Sequence, residues 1–576
     1  MNTLTPKKYT DMYYSSCCLS SIATQYAIWL ILILPTTSGL GHANSSVTSF
    51  ECNVEKCSSA PREHIQYILK DTVFRNGVTE KLRNVVQIPS EMVDPTPNPV
   101  PDPRVQPEHH FWDPFRKLHQ QLATDFPRVF SRLNVEIINE FSLLMTWEGS
   151  DRNLKPLMFS SHMDVVPVNP ETVGEWQHDP YSGDLTWDDE LGDIIWGRGA
   201  FDDKHRMIAH LQALEYILTF EPDFVPKRSI ILAIGCDEES GGVYGASFIA
   251  ALLLSRYGEN GLYAVIDEGF TGIKEIEGVL AAMPGISEKG RMNFWCNLTV
   301  KGGHSSVPPK DSAINLVSTF VTEFEREQLL PIFSQINPAA RLYQCIAENS
   351  VTLSNNLKRY FASAFNDSEA NNHLLEHIIS NNDLRTKYLF RSVKGVTTIH
   401  GGLKSNSLAD FVAWSFSIRL AMEDTVDRTV KLVQQMLCTF ARTHGIGLNI
   451  QGKQVLARTE KGILQVRYSA KNAAPISPNN AVWKMFAGTI KGLYEDCIFP
   501  IRLNGKHNLL VLPSVMTGGT DSVHYEKLTR NIYRYQPGFY TGRVVDNIHG
   551  PNEFIDVNTL IETVAFVYAY IHSVQD

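Results

Sequence analysis

The chain has 576 residues, of which 43% are hydrophobic, so it is long enough to build more than one hydrophobic core. Its 52 Lys and Arg residues are outnumbered by 62 Asp and Glu residues, and no basic block interrupts this mild acidic excess. The sequence therefore lacks the electrostatic footprint of a nucleic-acid-binding protein, and we expect no nucleic-acid partner. We expect at least two domains.

An apolar segment lies close to the amino terminus. Tyr26–Leu34 is preceded by two lysines and followed by a proline and small residues. This run is shorter than the ~18 residues of a membrane-spanning helix, which favours a signal peptide over residues 1–43. A retained signal anchor is the alternative, since apolar residues upstream lengthen the stretch. Both forms predict entry into the secretory pathway, and a vacuole-like or lysosome-like lumen, membrane anchoring and secretion are all compatible with them.

Cysteines and glycosylation motifs also bear on whether the chain enters the secretory pathway. Cys52 and Cys57 lie close together beyond the leader, and a local disulfide between them is expected. The other cysteines beyond the leader are expected to be buried thiols, namely Cys236, Cys296, Cys345, Cys438 and Cys497. Asn44, Asn297 and Asn366 each begin an Asn-x-Ser/Thr acceptor pattern, which matters only for a chain in the secretory pathway.

From about residue 110, apolar strand patterns alternate with helical patterns. Helices are predicted at Phe111–Phe126 and Met207–Leu218, and strands at Val135–Trp147 and Ser229–Ile234. This alternation predicts an α/β fold, a sheet with helices on its faces. The Pro-rich residues that precede it favour extended or turn geometry and are interpreted as an arm or linker.

A different order of predicted strands and helices begins with a strand at Phe294–Val300. A helix follows at about 312–327, then a strand at Phe411–Leu420 and a helix at Val426–His444. We interpret this region as a smaller α+β domain inserted into the first one. The predicted boundaries are 1–43 for the leader, 44–109 for the amino-terminal arm, 110–291 and 472–576 for the two parts of the main domain, and 292–471 for the insert.

The first chemical motif is SSHMDVVP at residues 160–167. It places His162 and Asp164 two residues apart at the end of an apolar strand, where alternate side chains share a face. The imidazole can then bind a metal while the carboxylate holds its other ring nitrogen. The alternative is a hydrogen-bonded surface pair without a metal.

Acidic residues follow in two further motifs, one at a predicted helix start and one after a predicted strand. Asp202, in GRGAFDDK, lies at the mouth of a predicted helix, where the alternative interpretation is a helix cap. GCDEESGG, at residues 235–242, contains three consecutive carboxylates after a strand. Near a cleft that arrangement is costly unless a cation is bound or one carboxyl group stays protonated, although a solvated acidic turn is the alternative.

Two further motifs complete the set. Asp267 and Glu268 end the apolar strand Leu262–Ile266, and His549 lies in DNIHGPNE near the carboxyl terminus. Open α/β sheets build their sites at the ends of successive strands, where these residues are predicted to lie. Two histidines with several carboxylates suit a pair of zinc ions, because a shared carboxylate can bridge ions ~3.5–4 Å apart.

These segments, in this order, resemble the motifs of the aminoacylase/carboxypeptidase S family of two-zinc metallopeptidases from about residue 110 to the end. The resemblance implies a zinc-peptidase catalytic domain with a mixed sheet covered by helices, plus an inserted smaller α+β lid and dimerisation domain. It implies two Zn²⁺ ions per chain, with His162 and Asp267 on one ion, Glu239 and His549 on the other, and Asp202 bridging both. Glu268 competes with Asp267 for the remaining position.

The same resemblance implies how the residues act. Glu238 corresponds to a general base that takes a proton from metal-activated water and later delivers it to the leaving amine. Asp164 corresponds to the residue that orients His162. His304, in KGGHSSVP, is similar to a histidine that steadies the developing oxyanion, and Asn406, in GLKSN, to an asparagine that contacts substrate.

One departure concerns Val523, in GGTDSVHY, where relatives carry an arginine that would clamp a substrate carboxylate. His524 and Arg543 are the considered replacements. The expected activity is hydrolysis of the amide bond next to the free C-terminal carboxylate of short peptides. An N-acyl-amino-acid hydrolase, in the manner of the carboxypeptidase S and N-fatty-acyl-amino-acid hydrolase subgroup, and a catalytically inactive ligand-binding homologue are the alternatives. A homodimer through the lid domain and a membrane anchor are left open.

Overall fold

The protein is represented by a computed structural model that describes residues 49–57, 59–93, 100–269, 272–326, 329–380, 384–539 and 542–575. The apolar leader and Asn44 lie outside the described residues. Within the described ranges, no helix is both long enough and apolar enough to cross a membrane.

The secondary structure is given in chain order. The strands are β1 (Asn134–Ile138), β2 (Ser142–Trp147), β3 (Leu157–His162), β4 (Leu185–Asp188), β5 (Gly192–Trp196), β6 (Ile230–Gly235), β7 (Ala264–Asp267), β8 (Ile273–Ile276), β9 (Val279–Ala282), β10 (Gly285–Glu288), β11 (Gly290–Val300), β12 (Gly303–His304), β13 (Val393–Gly401), β14 (Ser407–Leu408), β15 (Phe411–Leu420), β16 (Gly447–Ile450), β17 (Lys453–Leu456), β18 (Gly462–Lys471), β19 (Leu509–Val511), β20 (Ser514–Met516), β21 (Ile532–Arg534) and β22 (Phe554–Asp556). The helices are α1 (Arg62–Lys70), α2 (Thr72–Val86), α3 (Asp113–Asp125), α4 (Pro127–Arg132), α5 (Lys204–Phe220), α6 (Ala246–Tyr257), α7 (Ala313–Arg326), α8 (Pro338–Asn349), α9 (Asn355–Ser363), α10 (Ser368–Ser380), α11 (Leu384–Leu389), α12 (Val426–His444), α13 (Ala481–Leu493), α14 (Phe499–Arg502), α15 (Ser522–Tyr525), α16 (Gly542–Asp546) and α17 (Val557–Ser573).

The chain divides into two compact units. The larger unit comprises Ser45–Glu288, Pro338–Ala370 and Ala474–Asp576, and the smaller comprises Lys289–Asn337 and Asn371–Ala473 among the described residues. Pro338–Ala370 falls inside the predicted insert at 292–471 but groups with the larger unit. The reason is that α8 packs against β9 and β20, strands of the larger unit.

The larger unit is built on an eight-stranded mixed sheet. Its strand order is β1-β2-β6-β3-β7-β21-β10-β20, and β3 runs parallel to both β6 and β7. All residues of β3, β6 and β7 are buried, as expected of strands in a sheet covered on both faces. Helices α5 and α17 pack against each other, and α5 also packs on β3. The predicted mixed sheet covered by helices is thus confirmed.

The amino-terminal region differs from the predicted arm at 44–109. Helices α1 and α2 bury Ile68, Leu82 and Val85 completely in the core of the larger unit. Lys204 Nζ, at the start of α5, donates to the carbonyl oxygens of Val85 at 2.9 Å and Ile88 at 2.6 Å. This segment is therefore part of the fold, because its apolar residues recur at helical spacing and have a buried surface to pack on.

Most of the predicted helices and strands are present, and one predicted strand is divided into two. The helices predicted at Phe111–Phe126, Met207–Leu218, 312–327 and Val426–His444 are confirmed as α3, α5, α7 and α12. The single strand predicted at Val135–Trp147 is instead a hairpin of β1 and β2. Asn139 and Glu140 have positive φ angles of 48° and 76° and reverse the chain between them.

The smaller unit contains a six-stranded sheet in the order β13-β15-β11-β18-β16-β17. Strand β11 pairs antiparallel with β15 on one side and β18 on the other, and alternate residues along it are buried. The buried face packs with apolar side chains of α7 and α12 in a core of its own. This arrangement agrees with an α+β unit.

The predicted disulfide between Cys52 and Cys57 is wrong. Cys52 pairs with Cys345 of α8, across a Cα–Cα distance of 5.2 Å, and Cys57 is a free thiol. Cys57 N–H instead donates to the carbonyl oxygen of Gly488 at 3.0 Å, and Arg341 of α8 donates to the carbonyl oxygen of Phe50 at 2.9 Å. These contacts bring Cys52 to α8 and hold Cys57 elsewhere. The prediction that Cys345 is a buried thiol is wrong for the same reason.

Candidate metal centre

His162 ends β3 in a buried position, with 1% of its surface exposed. Its Nδ1 lies 3.0 Å from the carbonyl oxygen of Asp164 and 3.4 Å from Asp164 Oδ1. Its Nε2 lies 3.1 Å from Asp202 Oδ1. One ring nitrogen is therefore held by Asp164 and the other is presented to a group of carboxylates, the arrangement expected of a metal-binding imidazole.

Asp164 also ties the next acidic segment to β3. Its Oδ1 accepts a hydrogen bond from the backbone N–H of Glu238 at 3.1 Å, and its Oδ2 accepts one from Glu239 at 3.0 Å. The segment it holds is a short 3₁₀ turn, Glu238–Ser240, directly after β6. A single fully buried carboxylate thus positions one histidine and two glutamates.

Asp202 lies between the two predicted histidine ligands. Its Oδ1 is 3.1 Å from His162 Nε2, and its Oδ2 is 3.1 Å from His549 Nε2. His549 Nε2 is also 3.4 Å from Glu239 Oε1. A carboxylate that presents one oxygen to each histidine has the geometry of a ligand that bridges two ions.

Two groups of side chains around His162 have ligand atoms within 4.8 Å of one another. One group is His162, Asp202 and Glu239, and the other is His162, Glu238 and Glu268. The nitrogen and oxygen donors of both groups match the ligand preference of zinc. The structure therefore brings together His162, Asp202, Glu238, Glu239 and His549 as the sequence predicted, and the groups fit a two-ion centre.

The two adjacent acids at the end of β7, Asp267 and Glu268, have different neighbours. Glu268 Oε1 lies 3.9 Å from His162 Nε2. Asp267 turns away, because its Oδ1 accepts from the Glu268 N–H at 2.9 Å and its Oδ2 accepts from Ser522 Oγ at 2.5 Å. Adjacent residues at a strand end point to opposite sides, so only one acid of this pair can face the centre. Glu268, the competitor, thus lies nearer His162 than the favoured Asp267 does, and which of the two binds a metal stays a prediction.

The acidic side chains of the centre crowd one another. Removal from water, followed by repulsion from neighbouring carboxylates, raises the pKa of Glu268 well above its usual value. Removal from water likewise raises the pKa of Glu238, although the neighbouring His162 opposes this rise, and raises the pKa of Asp203 to about 7. Such a cluster needs positive charge to stay ionised, which a divalent cation supplies.

The pKa values of the two histidines are also raised, because carboxylates surround the imidazole rings. Burial opposes charge on His162, but hydrogen bonds to Asp164 and Asp202 raise the pKa of its ring well above the usual value. For His549, the contacts with Asp202 and Glu239 outweigh burial and raise the pKa to about 11. The surrounding negative charge therefore favours a cation at the position that each imidazole nitrogen faces.

The predicted substrate-binding residues lie in the smaller unit. His304 is on β12 and pairs with Ser407 of β14, while the Ser305 N–H donates to the carbonyl oxygen of Asn406 at 3.2 Å. His304 and Asn406 are both exposed. The structure thus brings these two distant sequence motifs together on one two-stranded sheet, and their role with substrate stays a prediction.

The considered replacements for the missing arginine are engaged elsewhere. Val523 lies on the short helix α15 beside His524, whose Nε2 is 2.9 Å from the carbonyl oxygen of Gly241. Arg543 Nη2 forms an ion pair with Asp188 Oδ2 at 2.7 Å. Each side chain already has a partner within the larger unit.

Asp521 is a residue of the site that sequence interpretation missed. It is buried against two glycines that flank the acidic segment, since a Cβ atom on Gly235 or Gly242 would lie 2.5 Å from one of its carboxylate oxygens. The GGTD segment therefore docks directly on the GCDEESGG segment. The signal available in the sequence was the pair of glycines, which marks a close approach of another chain segment.

The fold and this centre define an α/β protein whose parallel strand ends carry a histidine-carboxylate cluster suited to divalent cations. The model of Peptidase family M20/M25/M40 matches residues 158–573, and the chain belongs to this family. The predicted family is thereby confirmed. Membership places the chain among the peptidases, and so among the hydrolases.

Similar proteins include curated relatives and solved structures. The chain is 35% identical over 540 residues to carboxypeptidase S of Saccharomyces cerevisiae, covering 93% of this chain and 91% of the relative. It is 29% identical over 464 residues to human N-fatty-acyl-amino acid synthase/hydrolase PM20D1, covering 78% of this chain and 80% of that protein. Human carnosine dipeptidase 1 has the same fold, with a TM-score of 0.58 and 15% identity over 90% of this chain and 100% of the solved chain.

Proposed function

We propose that the chain is a two-zinc carboxypeptidase that hydrolyses the amide bond next to the free C-terminal carboxylate of short peptides. The observation that carries this proposal is the position of Asp202, whose two oxygens each lie 3.1 Å from a different histidine. Glu238 and Glu268 lie beside the same centre. Relatedness to carboxypeptidase S across 93% of the chain supports the substrate class.

A second candidate is an N-acyl-amino-acid hydrolase. Relatedness to N-fatty-acyl-amino acid synthase/hydrolase PM20D1, at 29% identity over 78% of this chain, favours it. Both substrates present an amide bond beside a carboxylate, so one centre suits both reactions. The difference between them lies in the group on the other side of the amide bond.

In the proposed reaction, His162 and Glu268 would hold one zinc ion, Glu239 and His549 would hold the other, and Asp202 would be a ligand shared by both. Bound zinc supplies Lewis-acid activation of a water molecule and of the scissile carbonyl group. Glu238 is the general base, which takes a proton from the attacking water and delivers it to the leaving amine nitrogen.

The surroundings of Glu238 suit this role. Its backbone N–H is held by Asp164 Oδ1 at 3.1 Å, so its position relative to His162 is set by the same carboxylate that orients the imidazole. Removal from water raises the pKa of its carboxyl group, which makes it a better proton acceptor once ionised. Asp164 acts through these two residues and does not touch the substrate.

The predicted roles of His304 and Asn406 with substrate belong to this proposal. His304 steadies the developing oxyanion, and Asn406 contacts the substrate. Because Val523 stands where relatives carry arginine, recognition of the substrate carboxylate has to rely on other groups. Comparing a blocked dipeptide with its C-terminal amide measures directly how much that carboxylate contributes.

We infer a lumenal location in the secretory pathway, such as a vacuole-like or lysosome-like lumen. The disulfide between Cys52 and Cys345 supports an oxidising compartment, since disulfides persist there and are rare in the cytosol. Membrane anchoring through the leader and dimerisation through the smaller unit stay predictions.

The proposal is tested by elemental analysis of the purified protein together with hydrolysis assays before and after chelation. The assays use a blocked dipeptide, its C-terminal amide, and a fatty-acyl amino acid. Two zinc ions per chain and chelator-sensitive release of the C-terminal residue are expected. Restoration of activity by added zinc controls for damage by the chelator.

Other outcomes would change the conclusion in defined ways. Preferential hydrolysis of the acyl amino acid would select the second candidate. Two bound zinc ions without turnover of any of these substrates would identify a ligand-binding homologue that has lost catalysis. Absence of zinc from protein purified without chelator, with no uptake on addition, would overturn the ligand assignment.

A further inference from the structure

Arg198 and Glu553 form a buried ion pair beside the metal centre. Arg198 Nη1 donates to Glu553 Oε2 at 2.6 Å, and the two residues are 3% and 0% exposed. Glu553 follows His549 in the motif DNIHGPNE, and Arg198 precedes Asp202 in GRGAFDDK. The pair therefore links the two loops that carry Asp202 and His549.

The carboxylate of Glu553 organises the loop that leads to Asp202. Its Oε1 accepts hydrogen bonds from the backbone N–H groups of Gly199 at 3.0 Å, Phe201 at 3.1 Å and Asp202 at 3.1 Å. Three donors on one carboxylate oxygen determine the path of the main chain. The position of the Asp202 side chain depends on that path.

The guanidinium of Arg198 organises the other loop. Its Nη2 donates to the carbonyl oxygen of His549 at 3.1 Å. His549 has a positive φ angle of 63°, and its side chain is 50% exposed, so packing alone does not define the direction of its imidazole. The contact from Arg198 fixes the main chain at this residue.

The Asp202 loop follows β5 and the His549 loop precedes β22, and these two strands are hydrogen-bonded to each other. Trp196, at the end of β5, pairs with Phe554, at the start of β22, and the Gly197 N–H donates to the carbonyl oxygen of Glu553 at 2.9 Å. The Arg198–Glu553 pair lies between these strands and the 3.1 Å approach of His549 Nε2 to Asp202 Oδ2.

His162 is supported differently. It lies within β3 in the middle of the eight-stranded sheet, and its ring is held by Asp164. The centre is thus asymmetric, with one histidine on a buried strand and the other on a loop whose backbone is bonded to Arg198.

We propose that Arg198 and Glu553 are positioning residues for the metal ion on the His549 side of the centre. Together they set the distance between Asp202 and His549, and so mainly the affinity of that ion, since Asp202 is assigned to both ions but His549 to this one alone. This inference rests on the proposed function for the existence of two ions. It assigns Arg198 and Glu553 a role that they exert through the predicted ligands Asp202 and His549.

The test is a zinc titration of metal-free protein by isothermal titration calorimetry, comparing wild type with Glu553→Ala. Loss of a residue that supports metal ligands weakens binding by about 10- to 100-fold. The expected result is a loss of that size for one ion and a smaller loss for the other, because Glu553 also holds the backbone of Asp202, which the proposal assigns to both ions. Glu553→Gln, which retains an oxygen for the three N–H groups, is expected to show a smaller loss than alanine.

Glu562→Gln is the matched control. Glu562 is another buried glutamate of the larger unit paired with an arginine, Arg502 Nη1, at 2.9 Å, and it also accepts from Tyr494. It is expected to lower the melting temperature without separating the two zinc affinities. Thermal melting and circular dichroism of every metal-free variant establish that it is folded.

The outcomes separate the inference from the function on which it rests. Failure of the wild type to bind two ions would sink the proposed function. Wild type with two ions and Glu553→Ala with the same two affinities would overturn the positioning role alone. Equal weakening of both ions in Glu553→Ala would also overturn it, because a general structural defect would then explain the loss. If Glu553→Ala does not fold, Arg198→Lys, which keeps the charge but not both donors, carries the same comparison.

Discussion

At the scale of single residues, the side chains of the centre have defined hydrogen-bond partners. Asp164 is an example, because its two carboxylate oxygens hold the backbone of Glu238 and Glu239 while it also orients His162. The chemistry assigned to each residue can therefore be tested by substitutions that change charge with little change of shape.

Glu238→Gln is expected to lower kcat by about 10²- to 10⁴-fold, because an amide cannot accept the proton of the attacking water. Zinc content is expected to stay at that of the wild type. Steady-state kinetics and elemental analysis of the same preparation check both points. His162→Ala provides the contrast, since it is expected to lose metal and activity together. Near-full activity of the glutamine variant would show that another group is the base.

The pair Asp267 and Glu268 offers a matched comparison. Glu268→Gln is expected to reduce zinc content, since Glu268 lies beside His162 at 3.9 Å. Asp267→Asn is expected to retain zinc, because Asp267 bonds to Ser522 and to the Glu268 backbone instead. Elemental analysis of both variants decides the assignment. The opposite pattern would restore Asp267 as the ligand.

At the scale of secondary-structure elements, the site depends on turns that follow buried strands. The turn after β6 carries Glu238 and Glu239 and is closed by Gly241 and Gly242, both at positive φ. Asp521 approaches this turn so closely that a Cβ atom on Gly242 would lie 2.5 Å from its Oδ1. Glycine is thus required both by the backbone conformation and by the neighbouring side chain.

Gly242→Ala is expected to destabilise the protein by at least about 1–2 kcal/mol from its left-handed conformation alone and to lower activity by displacing the turn. Gly77→Ala is the matched control. Gly77 lies within α2, where an added Cβ atom would meet nothing within 4 Å, and this change is expected to stabilise the protein by about 0.5–1 kcal/mol. Denaturant unfolding of both variants measures these changes. A neutral Gly242→Ala would argue against the close approach of Asp521.

At the scale of the whole molecule, distant parts of the chain converge in each unit. In the larger unit, residues near the amino terminus pack with α5 and α17, and Cys52 is joined to Cys345 across a sequence separation of 293. A link across so long a segment restricts the unfolded chain, and a native disulfide typically contributes about 2–4 kcal/mol.

Cys52→Ser is therefore expected to lower stability by about 2–4 kcal/mol. Reductant is expected to lower the melting temperature of the wild type and to leave that of Cys52→Ser unchanged. Cys57→Ser is the control, because Cys57 is a free thiol, and its response to reductant should match the wild type. A loss of the reductant effect in Cys57→Ser would point to the local pairing instead.

The sequence by itself determined the types of residue in the centre and the order of the elements that carry them. Strand and helix periodicity is a local property, so β15 and α12 were predicted with the bounds they have. The motifs also contain their own chemistry, since they place histidines and carboxylates at strand ends, and the family resemblance implies roles for His162, Asp202, Glu238, Glu239 and His549. All five meet in the structure.

Only the tertiary structure decided which residues become neighbours across long stretches of chain. Glu268 rather than Asp267 faces the centre because Ser522, from a distant segment, binds Asp267. Cys52 pairs with Cys345, and α1 and α2 join the core, because surfaces far along the chain cover them. Periodicity and composition describe a residue's immediate chain neighbours, whereas these outcomes depend on packing between segments, which single-sequence patterns do not encode.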